Sequence, residues 1–126
     1  MTFPEDVSYT KDHEWVRIEG ENGTVGITDY AQGELGDIVF IELPKIGRQV
    51  KQGESFGTVE AVKAVSDLFA PVSGEVTEVN SELDKKPEAV NKDPYRAGWI
   101  IRIKLRDKSE MKNLLTAKQY RELIGK

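Results

Sequence analysis

Alternating apolar and polar residues divide most of the chain into short β-strands. His13–Glu19 and Thr24–Thr28 are β-rich runs, and the segment Glu21–Gly23 between them contains Asn-Gly, a strong signal for a tight hairpin turn. Apolar residues then continue almost unbroken from Asp37 to Leu43, which predicts a strand that is buried on both faces. The first third of the chain is therefore predicted to be mainly β.

The central part of the chain has a similar pattern on either side of Lys63. Ser55–Val62 and Val65–Ala70 are strand-like runs that meet at this lysine. Pro44-x-x-Gly47 precedes them and Pro71-x-x-Gly74 follows them, each placed between two short β runs. The repetition predicts two similar halves that are related across a hairpin with Lys63 at its tip.

Short helices are predicted at the margins of this β core. Asp29–Gln32 has the form of a capping box with Asp29 as the N-cap, and Gly36 is placed to end the helix. Near the C-terminus, Asp107-x-x-Glu110 and Thr116-x-x-Gln119 are also capping-box patterns. Two short helices are therefore expected to pack on the sheet after the last strand.

The segment before that last strand is less regular. Glu75–Val79 and Gly98–Leu105 are predicted strands. Between them, Ser81–Lys86 is predicted to form a helical turn, and Pro87–Pro94 is predicted to be irregular.

The composition describes one globular domain. The chain has 126 residues, of which 38% are apolar and 32% charged, and this length can bury a core without metal or disulfide support. We expect a single domain over residues 1–126, with a core at about 13–105 and a helical segment at about 107–125.

Charge and hydropathy argue against two classes of partner. The net charge of −4 does not suit general binding to nucleic acid, which needs clustered Lys and Arg. No signal peptide and no long uncharged apolar run are present, so neither export nor a membrane span is expected. We expect a cytoplasmic bacterial protein; the mitochondrial matrix would apply only if a transit peptide had been removed.

The side chains offer little for catalysis. The chain has no cysteine, no glycine-rich phosphate loop and a single histidine, His13, which we interpret as a surface or partly buried residue at a strand start. Three acids, Asp84, Glu88 and Asp93, lack the spacing of a calcium loop. The chain is therefore not expected to be an enzyme on its own side chains.

Lys63 is the unusual residue of the central hairpin. Hairpin tips are normally rich in Gly, Asn, Asp or Pro, whereas here Val62 and Ala64 flank the lysine. An exposed lysine is ordinarily just a solvated charge. A lysine held at a rigid tip, however, projects its amine to where a modifying enzyme can reach it, which suits covalent attachment of a carrier cofactor.

The residues around Lys63 closely resemble the lipoyl-lysine region of the glycine cleavage system H-protein family. Glu60–Ala64, Ser66–Asp67 and Ala70–Val76 carry this likeness, and Val62-Lys63-Ala64 is unlike the Asp-Lys-Ala of general lipoyl domains or the Met-Lys-Met of biotinyl domains. One departure is Ala61, where the family commonly has serine. The similarity continues in other blocks across the chain, which are His13–Val16, Val25–Gln32, Leu35–Phe40, Val90–Tyr95 and Gly98–Trp99.

The resemblance implies a fold and a function. The fold would be the flattened β-barrel of lipoyl and biotinyl domains, a barrel-sandwich hybrid, with short flanking and C-terminal helices. Lys63 would carry lipoate as an amide. The protein would shuttle an aminomethyl group from the pyridoxal-phosphate glycine decarboxylase to the tetrahydrofolate-dependent aminomethyltransferase, and electrons to dihydrolipoamide dehydrogenase. We expect a monomer that meets each partner transiently.

Three acids acquire roles from the same resemblance. Glu60 would mark Lys63 for the lipoylating enzyme, or would be an exposed strand charge. Glu14 and Asp67 would hold the cationic amine of the loaded arm in a cleft; alternatively, Glu14 is a solvated strand-edge acid and Asp67 a charge that guards an apolar strand. Two other functions stay open: a lipoyl carrier or lipoate donor for another complex, and an interaction module with unmodified Lys63.

Overall fold

Nine β-strands form two antiparallel sheets that together make a flattened, open barrel. The computed structural model describes all residues from 1 to 126. The large sheet has the strand order β1-β2-β3-β9-β8-β5, and the small sheet has the order β4-β6-β7. The predicted mainly β fold is confirmed. The strands are β1 (Ser8–Tyr9), β2 (Glu14–Glu19), β3 (Asn22–Ile27), β4 (Ile38–Glu42), β5 (Gln49–Val50), β6 (Ser55–Ala61), β7 (Val65–Phe69), β8 (Gly74–Val79) and β9 (Ile101–Leu105).

The two Pro-x-x-Gly turns have equivalent places in this fold. Pro44–Gly47 leads from β4 in the small sheet to β5 in the large sheet, and Pro71–Gly74 leads from β7 to β8 in the same way. The two short strands that follow the turns, β5 and β8, pair with each other. The central repeat of the sequence thus corresponds to two crossings between the sheets.

Helices lie at the margins, as the sequence predicts. They are α1 (Asp29–Leu35), α2 (Ala89–Lys92) and α3 (Ala117–Ile124), with 3₁₀ turns at Ser81–Asp84 and Lys108–Asn113. The position of α2 corrects the prediction that residues 87–94 are irregular. None of these helices is long and apolar enough to cross a membrane.

The start of α1 differs from the prediction by one residue. Thr28, not Asp29, is the N-cap, because its hydroxyl accepts a hydrogen bond from the Ala31 N–H at 3.1 Å. The Asp29 carboxylate instead accepts from the Gln32 side-chain amide at 2.7 Å. Gly36 ends the helix as predicted, with a positive φ of 80°.

The first hairpin also turns earlier than predicted. Glu19 pairs with Asn22, so the two turn residues are Gly20 and Glu21, and Gly20 supplies the positive φ of 63°. Gly23 lies within β3, where an added Cβ would come within 2.9 Å of Val16 Cγ2. Gly23 is therefore needed for close packing in the strand rather than for the turn.

Strand β4 is not buried on both faces, contrary to the prediction. Ile38 pairs with Ala61 and Phe40 pairs with Glu60, which leaves Val39 as an extra residue in a β-bulge. Because of the bulge, Val39 and Phe40 both lie on the solvent side, while Ile38 and Ile41 point into the core.

The C-terminal segment is anchored by capping groups and by aromatic packing. Thr116 and Gln119 form the predicted capping box of α3. Asp107 caps the preceding 3₁₀ turn, but the predicted box with Glu110 is wrong, because the Glu110 carboxylate accepts from the N–H and hydroxyl of Ser73. Besides the main core between the sheets, a second buried cluster joins the two ends of the chain; it consists of Val7, Tyr9, Trp15, Tyr95, Ala117 and Tyr120.

Candidate functional site

Lys63 lies at the turn of the β6–β7 hairpin. The register pairs Glu60 with Val65, and the Ala61 N–H donates to the Ala64 carbonyl at 2.7 Å. Val62 and Lys63 are therefore the two turning residues. Neither has a positive φ, which explains why this tip needs no Gly or Asn.

The tip is attached to the neighbouring strand as well. The Val62 N–H donates to the Asp37 carbonyl at 3.0 Å, and buried Ile38 pairs with buried Ala61 directly below the turn. Lys63 itself is exposed, and neither of the two ion pairs in the protein involves it. The amine thus projects from a fixed root and is accessible for acylation, so the site fits a group attached through an amide.

Glu60 lies on the outer face of the small sheet, beside the tip. It is exposed and pairs with Phe40 on one side and Val65 on the other. It is three residues from Lys63, or about 10 Å along an extended strand. A protein that contacts Lys63 can therefore contact Glu60 at the same time.

A cavity of about 220 Å³ lies on the other side of β7, between this strand, α1 and the residues before β2. Its floor is apolar and its rim is polar. Asp67 is on the rim, four residues from Lys63, or about 13 Å along the strand. The floor consists of Ile27, Ala31, Leu35, Val59 and Leu68, and the rim of Asp12, His13, Tyr30, Glu34, Ser66 and Asp67.

Glu14 is buried at the edge of β7 and does not line this cavity. Its side chain is 2% exposed; Oε1 accepts from the Thr10 hydroxyl at 2.7 Å, and Oε2 accepts from the Phe69 N–H at 3.2 Å. Burial raises the pKa of Glu14 to about 8, although both hydrogen bonds act to lower it. The interpretation of Glu14 as a solvated strand-edge acid is therefore wrong.

The structure places the Glu14 carboxyl group against β7, the strand that contains Asp67. Glu14 binds the backbone of Phe69, which is two residues from Asp67, or about 7 Å along β7. Asp67 is exposed and lines the cavity, whereas Glu14 is buried and does not line it, although its sequence neighbours Asp12 and His13 do. The two acids thus contribute one exposed carboxyl group at the rim and one buried carboxyl group against the same strand.

His13 forms part of the cavity wall, a position that its place before a predicted strand does not indicate. It is the one non-glycine residue with a positive φ, 73°, and its Nδ1 lies 2.8 Å from the Tyr120 hydroxyl. That hydroxyl also lies 2.8 Å from the Thr28 Oγ1. Burial lowers the pKa of His13, so the imidazole is neutral at neutral pH. Tyr120 is 107 residues away in the chain, so no local sequence pattern predicts its contact with His13.

The chain is similar to known proteins over nearly its whole length. The family described as "Glycine cleavage H-protein" matches residues 7–126. The chain belongs to this family. It is 58% identical to the glycine cleavage system H protein of Geobacillus kaustophilus, over 99% of this chain and 98% of that one. It is 55% identical to the H protein of Staphylococcus carnosus, over 99% of each chain.

A solved structure of the H-protein family has the same fold. The crystal structure of a glycine cleavage system H protein from Mycobacterium marinum matches with a TM-score of 0.89 and 43% identity, over 98% of this chain and 99% of that chain. The family predicted from the residues around Lys63 is thus confirmed, and with it the role of carrier protein in glycine cleavage.

Ala61, the departure from the family pattern, does not lie on the outer surface of the tip. Its side chain is buried and faces the core beside Ile38. A serine at this position would place its hydroxyl against apolar side chains. The substitution therefore leaves the exposed surface around Lys63 unchanged, and it gives no support to a different client complex.

Proposed function

We propose that this H-protein carries lipoate as an amide on Lys63 Nζ. The observation that carries the proposal is an exposed, unpaired amine on a tip that is hydrogen-bonded to the neighbouring strand. Bound lipoate would supply a disulfide that accepts electrons and an aminomethyl group. The chain would supply a fixed root and, through the length of the attached arm, a high effective concentration of the reactive end near each partner enzyme.

The polar rim beside β7 would receive the cationic amine of the cargo. Asp67 would bind it through a charge-assisted hydrogen bond at the cavity. Glu14 is buried against the same strand and its pKa is raised to about 8, so a cation bound nearby would favour its ionised form. The apolar floor would exclude water from the carbon–sulfur linkage, which is open to hydrolysis.

The partners would be those of the glycine cleavage system. They are the glycine decarboxylase, the aminomethyltransferase and dihydrolipoamide dehydrogenase, together with a lipoylating enzyme that uses Glu60. We expect a monomer that meets each partner transiently. The relatives are bacterial, which supports a cytoplasmic site of action.

An intact-mass measurement tests the attachment. The protein, produced in lipoate-replete cells that contain a lipoylating enzyme, should gain the mass of one lipoyl group, and Lys63→Arg should gain none. Lys45→Arg serves as the control, since Lys45 is also exposed and lies in the Pro44–Gly47 turn. An unmodified wild-type protein would refute the proposal and favour the interaction module.

A second experiment tests the receiving site. Asp67→Asn and Glu14→Gln should shorten the lifetime of the aminomethyl-loaded protein at pH 8.5, which lies above the raised pKa of Glu14. Glu75→Gln is the control, because Glu75 is exposed on β8 in the other sheet. Equal lifetimes for the double variant and the wild type would exclude a role for these acids.

A further inference from the structure

Exposed large apolar side chains are concentrated around the hairpin tip. The whole protein has seven of them, and four lie at the tip or on the strands that flank it. These four residues are between 49% and 71% exposed. We call them the tip patch: Val39, Phe40, Val62 and Val65.

The backbone explains why these side chains face solvent. The bulge in β4 turns both Val39 and Phe40 outward. Phe40 pairs with Glu60, and Glu60 pairs with Val65, so the three side chains form one row on the outer face of the small sheet. Val62 stands at the turn itself. Apolar side chains therefore lie on both sides of Glu60 and next to the attachment lysine.

Acidic side chains lie on this face and form no ion pairs, and Lys45 and Arg48 lie beside the row that is farther from the tip. Glu42, Thr58 and Asp67 form the next row on the same face, because they pair in register two residues farther along their strands. Glu60, Glu42 and Asp67 are all exposed, and none belongs to either of the two ion pairs. A complementary surface would be apolar at its centre and basic at its border.

We propose that the tip patch and Glu60 form the docking surface for the enzyme that acylates Lys63, and that this enzyme presents an apolar depression bordered by Lys or Arg. The inference rests on the proposed attachment at Lys63. The acylating enzyme must bring its active site to the lysine amine, so it has to contact the residues next to it. Enzymes that act on the far end of the arm are not subject to this requirement.

Two variants remove the apolar contacts and keep the strands. Phe40→Ser removes the ring, and Val65→Thr keeps the β-branched shape but adds a hydroxyl. Ile46→Thr is the matched control. Ile46 is 65% exposed and lies in the Pro44–Gly47 turn, at the end of β4 that is farther from the tip. Circular dichroism checks that each variant is folded.

The measurement is the rate of lipoylation by the lipoylating enzyme with lipoyl adenylate, followed by intact mass. A parallel reaction with a small acetylating reagent, quantified on the peptide that contains Lys63, measures the chemical access of the amine. We expect Phe40→Ser and Val65→Thr together to lower kcat/KM for lipoylation at least about tenfold, with acetylation unchanged. Glu60→Gln should weaken the salt dependence of the enzymatic rate.

The outcomes separate this inference from the proposal on which it rests. A wild-type protein that cannot be lipoylated refutes both. A wild-type protein and a double variant that are lipoylated equally fast refute the docking surface alone, as does an equal loss in Ile46→Thr. If the double variant is lipoylated at the normal rate but transfers the aminomethyl group more slowly, the tip patch belongs to the contact with another enzyme of the system. This result would also overturn the inference.

Discussion

Replacing Glu14 by Gln isolates the energetic effect of one buried carboxyl group. The side chain is fully enclosed, with the Thr10 hydroxyl at one oxygen and the Phe69 N–H at the other. Gln has the same shape; its amide can donate to the Thr10 oxygen while its carbonyl accepts from Phe69. The variant therefore resembles the protonated acid, but it cannot ionise.

The expected magnitude follows from the raised pKa. It increases from 4.5 in the unfolded chain to about 8 in the folded protein. The folded state therefore retains a proton that the unfolded state has lost, and stability falls as the pH rises through this window and levels off above pH 8. Between pH 6 and pH 8.5, the unfolding free energy of the wild type should fall by about 2.5 kcal/mol relative to the Gln variant.

Urea unfolding at pH 6, 7 and 8.5 measures this difference, with the buried Trp15 as a fluorescent probe. The contribution of His13 to the pH dependence of stability cancels in this comparison, because its lowered pKa affects both proteins in the same way. Glu60→Gln, at an exposed position, should keep the pH profile of the wild type. Parallel profiles for Glu14→Gln and the wild type would refute the reasoning, because they would mean that Glu14 ionises equally easily in the folded and unfolded states.

Two further substitutions, each with a control, test the hydrogen bond to Glu14 and the packing of the large sheet. Thr10→Val leaves one Glu14 oxygen without its donor and should cost about 1–3 kcal/mol in urea unfolding, whereas Thr10→Ser should retain most of the stability; equal losses would exclude the hydroxyl as the cause. Gly74→Ala places a Cβ within 2.0 Å of the Lys104 carbonyl oxygen and should cost more than about 3 kcal/mol by thermal unfolding. Gly33→Ala, in α1 with open space around it, should instead stabilise by up to about 1 kcal/mol, and a loss there as large as at Gly74 would contradict the steric explanation.

Local sequence signals predicted those elements whose stabilising contacts are local. The Thr116–Gln119 capping box closes on itself within one helical turn, and Gly36 supplies the positive φ that ends α1. Lys63 was placed correctly at a hairpin tip because two strand-like runs meet there. In each case, the residues that form the stabilising contact are close together in the sequence.

Errors arose where a distant partner decides the local conformation. Asp29 and Thr28 are both good N-caps, and the Tyr120 hydroxyl at Thr28 comes from the other end of the chain. The Glu110 carboxylate binds Ser73 across the fold instead of its own helix. The bulge at Val39 follows from the pairing of β4 with β6, and a run of apolar residues does not reveal it.

The sequence by itself determined the β-rich architecture, the place of Lys63 at a hairpin tip and, through the residues around it, the family. Only the tertiary structure decided that Glu14 is buried, that His13 lines a cavity, and that four exposed apolar side chains lie around the tip. The physical reason is that strand and turn preferences act between neighbours. Burial, by contrast, depends on which distant segments the two sheets bring together.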